Sequence, residues 1–385
     1  RRYVGAVLDN EFRTSKNSEF CGRLEKAFAQ VYHCPYAVSL VNGTATLHTA
    51  LAALGVQPGD EVVVPPLTMS STSLAVLQNG SIPVFADVDR RTFNLAAESV
   101  RNAITDKTRA ILSVALYGLA PDYDALLNIC GRRIALVEDN AQACLNAFQD
   151  REPGVYGDFA SLSFQASKHL AGGEGGLLLT QNRTWADKAR RFSSLGYGGI
   201  SARQAKIRRA DIQDPNYARH LGFGFNYRMS ELQAAVILAQ LERARDLVAA
   251  RVRAAALFRN AAGNCEWFRP QYVPEGYAHS YWAFSAVLDV AKPETDWYRF
   301  RDHYARNGGD GIYAAWRLSY QEPLFVRDVQ RRPGVRQPYR PGLCPQAEYL
   351  QKRLLQFKTN YWELSEAEAQ AAILKKTIAE FKPTR

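Results

Sequence analysis

Over about the first 240 residues, short apolar runs alternate with segments of helical period, and this alternation admits very few architectures. Residues 61–64 (Glu-Val-Val-Val), 82–87, 110–116, 134–137, 160–164 and 177–179 each read as a strand. Most are continuously apolar, as strands buried on both faces must be. Between them lie amphipathic or capped segments. Residues 44–54 carry Leu47, Ala50, Leu51 and Leu54 on one face and stop at Gly55. Residues 70–78 stop at Asn79-Gly80, and residues 122–130 follow the third strand. The pattern predicts an α/β fold with a mostly parallel central sheet flanked by helices.

The pattern changes beyond residue 196. Residues 196–224 are rich in Gly, Arg and Asp without a period, and excursions of that length are usually functional. Ser230 and Gln233 form a capping box for a helix with Leu232, Ala235, Val236 and Ala239 on one face, running on toward Arg253. A strand at 283–288 and helices at 297–306 and 365–381 follow, with Ser365 and Glu368 as a second capping box opening the last helix. We therefore expect a large α/β domain over residues 1–250 and a smaller C-terminal α+β domain over 251–385.

Hydrophobic residues make up 47% and charged residues 22% of the chain, which excludes a disordered or fibrous protein. No apolar run approaches the roughly 20 residues of a membrane span, and no apolar leader argues for export. The six cysteines are scattered without a Cys-x-x-Cys pair, against a zinc site or disulfide framework and in favour of a cytoplasmic setting. The net charge of +10 suits an anionic small molecule as well as nucleic acid. Its clusters, Arg203/Lys206/Arg208/Arg209 and Arg243/Arg245/Arg251/Arg253, read as solvated faces, and no helix-turn-helix or aromatic platform for nucleic acid is present.

Four segments at strand ends or helix starts, where open α/β sheets bind ligands, carry candidate chemistry. Asn42-Gly43-Thr44-Ala45 opens a helix whose free N–H groups suit a phosphate, or is an ordinary cap by Asn42. Asp139 and Gln142 follow a strand, where a carboxylate can pair with a cationic ring nitrogen and the amide with a phenolate, or Asp139 merely caps a helix. Ser163-Phe164-Gln165-Ala166-Ser167-Lys168-His169 runs off another strand into a glycine run. A shielded lysine there is a Schiff-base nucleophile, and an exposed one only a surface charge. Asn226 and Arg228, two apart before the capped helix, can reach one anion or mark a turn.

The order Gly-Thr at a helix start, then Asp-x-x-Gln, then Ser-x-x-x-x-Lys resembles the DegT/DnrJ/EryC1/StrS family of pyridoxal-phosphate sugar aminotransferases. The likeness extends from Cys21-Gly22-Arg23-Leu24-Glu25 through residues 55–62 and 83–87 to the C-terminal helices. It implies the type I fold of pyridoxal-phosphate transferases, with pyridoxal 5′-phosphate as cofactor. By the same resemblance Lys168 forms the Schiff base and moves the proton, Asp139 pairs with the pyridine nitrogen, and Gln142 contacts the phenolic oxygen. Gly43, Thr44, Ala45 and Ser163 hold the phosphate, and Asn226 reaches the phosphate in a partner subunit, making a homodimer with shared sites. The implied reaction moves an amino group from glutamate or glutamine to a keto-sugar, usually nucleotide-linked. Arg208 with its basic neighbours, Arg228, His169 and Tyr313 at the end of the loop 308–313 are expected on the substrate side.

Two departures stand out. Relatives place an aromatic ring over the cofactor where this chain has Met69, in Thr68-Met69-Ser70-Ser71-Thr72, and a thioether can pack there instead. Where relatives often have histidine, the segment here begins Ala115-Leu116-Tyr117-Gly118. Sugar dehydratases that resemble this family replace the lysine by histidine, whereas Lys168 is retained with His169 only its neighbour. Keto-inositol aminotransferases and a regulator that kept the fold without the chemistry are the other readings.

Overall fold

The computed structural model describes residues 1–9, 19–151, 153–204 and 207–384. Its larger sheet has seven strands: β1 (Tyr36–Leu40), β2 (Glu61–Val64), β3 (Ile82–Phe85), β4 (Thr108–Val114), β5 (Ala135–Asp139), β6 (Phe159–Ser163) and β7 (Gly176–Thr180). In space they run β1-β7-β6-β5-β4-β2-β3. The pairs β3/β2, β2/β4, β4/β5 and β5/β6 are parallel, and β7 pairs antiparallel with both β6 and β1. The six expected strands are all present within a few residues. Strand β1 is an addition to the expected set: Pro35 marks a turn ahead of it, but Tyr36-Ala37-Val38-Ser39-Leu40 is a short run broken by Ser39 rather than a long apolar one.

The helices cover both faces of this sheet. Helix Gly43–Leu54 starts where the Asn42 side chain accepts a hydrogen bond from the Ala45 N–H at 2.8 Å. It ends at Gly55, whose φ of 82° lies in the left-handed region that closes helices. Asp122 caps Tyr123–Cys130 in the same way through Ala125, and the Ser230/Gln233 capping box forms as read. The helix after Ser230 is not continuous. It breaks at Arg243 into Glu231–Leu241 and Ala244–Ala262, and across the break Leu238, Leu241, Ala244 and Val248 all reach one core with Phe20, Leu24 and Phe28. Packing outweighs the uninterrupted helical propensity of that stretch. The Ser365/Glu368 capping box does not form: helix Leu364–Glu380 starts one residue earlier, after Glu363, which leaves Ser365 inside its first turn.

The second sheet is antiparallel, in the order β10-β11-β9-β8, from β8 (Phe268–Pro270), β9 (Ala283–Leu288), β10 (Tyr313–Ala314) and β11 (Leu354–Lys358). Its core joins Ala255 and Phe258 of helix Ala244–Ala262 to Phe268, Phe284, Phe357 and Leu374. The chain between the last two strands returns to the large sheet. There Tyr320, Phe325 and Tyr339 ring Phe85, Gln337 hydrogen-bonds both the N–H and the carbonyl of Phe85, and Arg336 pairs with the buried Glu61 at 2.6 Å. This return covers the β3 edge of the parallel sheet, so its N–H and C=O groups are not left open to another chain. Residue 250 lies within helix Ala244–Ala262.

Candidate active site

The carboxyl ends of β4, β5 and β6 and the start of helix Gly43–Leu54 converge on one edge of the large sheet. Asp139, the last residue of β5, is buried, with Oδ2 accepting from the Thr72 hydroxyl at 2.9 Å and Oδ1 from the Ala141 N–H at 3.2 Å. Burial raises its affinity for a proton, against those two hydrogen bonds and the positive charge of Lys168. No cation lies within ion-pair distance of Asp139 among the described residues, which is the environment a protonated ring nitrogen would complete.

Gln142 is buried as well, and its Oε1 accepts from the Tyr117 N–H at 2.8 Å. That bond turns the amide NH₂ outward as a donor. At the helix start, the Thr46 N–H bonds the Asn42 carbonyl and the Ala45 N–H is engaged by the Asn42 side chain. The amide expected of Ala45 is therefore committed to the cap, and Gly43 and Thr44 keep the N–H groups open to an anion. A Cβ on Gly43 would stand 2.9 Å from the Ser163 Cβ, so only glycine lets this turn approach the end of β6. Open amides, the Ser163 hydroxyl, an outward amide donor and a buried carboxylate without a cation fit the phosphate, phenol and pyridinium of pyridoxal phosphate.

Lys168 lies on the loop after β6. Its Nζ stands 4.7 Å from the centre of the Trp282 ring, and its carbonyl accepts from Arg251 at 3.1 Å. Burial lowers its pKa to about 8, with Asp139 opposing and Arg251 reinforcing the shift. A lysine so placed holds a usable fraction of neutral amine near neutral pH.

The remaining expectations divide. Met69 is half-exposed just ahead of helix Ser71–Gln78, one turn from Thr72. His169 is buried, with Nε2 bonded to the Ser280 carbonyl at 2.9 Å, so its ring is engaged in the protein interior rather than offered to a substrate. Asn226 and Arg228 are exposed on a segment that bridges Ser194 and the end of β1, close to Asn42. Tyr313 is exposed on β10, three residues before Trp316, which stacks near-parallel on both Tyr117 and Trp282. Arg208 is exposed and makes a fork to Asp211 at 2.9 and 2.8 Å, within its own turn. Lys206 lies outside the described residues.

Four residues at the site have no site role in the sequence expectations. Thr72, Tyr117, Trp282 and Arg251 meet Asp139, Gln142 and Lys168 across separations that no local spacing encodes. Arg251, expected on a solvated face, is buried. Thr72 and Tyr117 both stand in segments singled out in the sequence, Tyr117 directly before Gly118. A Cβ on that glycine would meet the Tyr281 N–H at 2.6 Å.

The DegT/DnrJ/EryC1/StrS aminotransferase family matches residues 1–376. The chain belongs to this family. It is 30% identical to GDP-perosamine synthase of Escherichia coli O157:H7 over 79% of this chain and 78% of that protein. It is 33% identical to the spore coat polysaccharide biosynthesis protein SpsC of Bacillus subtilis over 70% of this chain and 68% of that one. Among solved structures, the aminotransferase from Psychrobacter cryohalolentis superposes with a TM-score of 0.85 at 26% identity, covering 98% of this chain and 96% of that one. This member of the family is a pyridoxal-phosphate-dependent aminotransferase.

Proposed function

We propose that the chain transfers an amino group from glutamate or glutamine to a keto-sugar carried on a nucleotide diphosphate, in the making of an amino sugar. The observation that carries this is Lys168: a partly shielded amine with a pKa near 8, on the same sheet edge as a buried carboxylate without a cation. The relatives named for GDP-perosamine and for a spore coat polysaccharide support the sugar class.

In this reading the amides of Gly43 and Thr44 and the Ser163 hydroxyl hold the cofactor phosphate, Gln142 Nε2 donates to its phenolic oxygen, and Asp139 keeps its ring nitrogen protonated. The bound cofactor supplies a ring that takes up the electron pair left when a proton departs the carbon bearing the amino nitrogen. Lys168 Nζ takes that proton from the donor and returns one to the sugar carbon, because it is the amine on this edge with a usable neutral fraction. Thr72 holds Asp139 in place. His169 cannot stand in for the lysine while its ring nitrogen is bonded to Ser280, which weighs against a dehydratase.

We further propose a homodimer with shared sites and a cytoplasmic setting. Asn226 is exposed beside Leu221 and Phe223, apolar side chains 64% and 79% exposed, as a face meant for a second copy would be. No disulfide joins any of the six cysteines, all of which lie within the described residues. No helix of the described residues is long and apolar enough to cross a membrane. The two-part division stays our reading, with the large sheet and its helices binding the cofactor and the antiparallel sheet forming the smaller part.

The test is an absorbance spectrum with added pyridoxal phosphate, for wild type and Lys168→Ala, before and after glutamate or glutamine. A band near roughly 410–430 nm that needs Lys168 and moves to about 330 nm with donor supports the reading. Turnover of nucleotide-linked keto-sugars, and not of keto-inositols, then supports the substrate class. A band that no donor shifts removes the aminotransferase assignment of Lys168.

A further inference from the structure

We propose that Arg251 is a positioning residue, whose buried guanidinium fixes the loop bearing Lys168 against the second sheet and sets the position of the lysine amine. The inference rests on the reading of Lys168 as the reacting amine.

Arg251 points from helix Ala244–Ala262 to three separate pieces of chain. Its Nη2 donates to the carbonyls of Ser167 at 3.4 Å and Lys168 at 3.1 Å. Its Nη1 donates to the carbonyl of Trp282 at 3.1 Å and to the Thr359 hydroxyl at 3.3 Å. Trp282 directly precedes β9 and Thr359 directly follows β11. One side chain thus joins the lysine loop of the large sheet to the ends of the two central strands of the smaller one. A planar fork with five donors can span these acceptors, and a lysine ammonium cannot reach all of them from one point.

Trp282 returns the connection from its own side. Its Nε1 donates to the Ser167 carbonyl at 2.9 Å, and its ring lies beside Lys168 Nζ. The lysine is therefore held at its carbonyl by Arg251 and at its amine by the Trp282 face. A shift of about 1 Å at the amine is enough to cost a reaction of this kind much of its rate.

The charge is placed unusually too. Arg190, equally buried, meets Glu25 in a fork at 2.7 and 2.6 Å. Arg251 has no carboxylate within ion-pair distance among the described residues, and burial brings its own pKa to about 10. Burying an unpaired cation is costly, so its persistence on neutral carbonyls calls for a role beyond packing. Around Lys168 the charged groups are Asp139 from β5 and Arg251 from helix Ala244–Ala262. His169 and His279 are both buried with pKa values pushed well below the usual range, and so are neutral. Asp139 and Arg251 are left as opposing charges, and Arg251 is the one that favours the neutral amine.

The experiment labels the full-length chain, dialysed free of cofactor, with acetic anhydride in competition with free phenylalanine, from pH 6 to 11. Mass spectrometry then reads the acetylation of Lys168. In Arg251→Gln the labelling midpoint moves upward by roughly half a pH unit, because a nearby positive charge is gone. In Arg251→Lys the fork is lost and the loop over the amine loosens, so Lys168 labels several-fold faster at pH 11, where its amine is neutral in either chain. Both variants labelling as wild type overturns the proposal. Should Arg251→Gln fail to fold, Arg251→Lys decides alone, and a wild-type rate there overturns it. Borohydride trapping of the cofactor, located by peptide mapping, separately tests whether Lys168 is the reacting amine at all.

Discussion

Glu138 and Asp139 are adjacent carboxylates at the end of β5, and their side chains serve opposite faces of the sheet. Asp139 looks to the ligand edge and is held by Thr72, so Thr72→Val removes one hydrogen bond to a charged group at almost constant volume. We expect a loss of about 1.5–3 kcal/mol in cofactor binding, roughly 10–100-fold in Kd by fluorescence titration, with the fold intact. An unchanged Kd would detach Thr72 from the site. Glu138 instead accepts from the N–H groups of Tyr156 and Gly157, both at 2.7 Å, and from Asn140 at 3.0 Å. Burial nonetheless lifts its pKa from 4.5 to about 7. Between those two values the folded chain keeps a proton that the unfolded chain has lost, so stability falls as pH rises through that window and levels off above it. Integrated, the effect is about 3 kcal/mol at most. Relative to Glu138→Gln, wild type therefore loses a few degrees of Tm between pH 5 and 7.5, a difference that stands apart from the opposite slope which the buried neutral His169 and His279 give to both chains. Parallel curves would place the titration elsewhere. Lys168, Asp139 and Gln142 were legible because strand ends are where such a fold binds ligands. Thr72 and Arg251 were not, since a threonine in a helix and an arginine among other arginines look ordinary until the fold brings them to a carboxylate and a lysine carbonyl.

Among the elements, helix Gly43–Leu54 shows how one turn serves two demands. Asn42 spends its side chain on the Ala45 amide, and Gly43 keeps the approach to Ser163 open. The two roles separate by substitution. Asn42→Ala removes the cap and is expected to lower stability by about 1 kcal/mol, read by urea unfolding, while freeing the Ala45 amide. Gly43→Ala drives a methyl group into the Ser163 Cβ, so the cofactor Kd rises at least tenfold, together with a stability loss of about 1–3 kcal/mol for the forced shift. A cofactor Kd unchanged in Gly43→Ala and raised in Asn42→Ala would mean that the phosphate takes the cap side chain and not the open amides. At this scale periodicity and caps located most of the large sheet and its helices. They failed at β1, which is pinned by pairing with β7, and at Arg243, where packing breaks a helix that its sequence would continue. Both depend on contacts made elsewhere in the chain, to which a local pattern is blind.

At the scale of the molecule the question is whether one chain makes a whole site. The segment through Asn226 and Arg228 lies along the end of β1, near the start of helix Gly43–Leu54, yet both side chains are exposed. An exposed asparagine there, flanked by the exposed Leu221 and Phe223, suits a site finished by a second copy related by twofold symmetry. The resemblance supplied this expectation, and complementation tests it. Lys168→Ala alone lacks the amine in both sites of a dimer, and Asn226→Ala alone lacks the partner contact in both. Mixed and allowed to exchange subunits, half the dimers are heterodimers. In each of these one site carries both defects and the other carries neither, because its lysine and its asparagine come from different chains. Activity should therefore return to about a quarter of the wild-type level, per site, from two preparations that are each weak or inactive. If every site is built from a single chain, mixing yields only the average of the two parents at any ratio. The return would tie the exposed Asn226 face to the chemistry at Lys168, and mere averaging would give that face to another purpose.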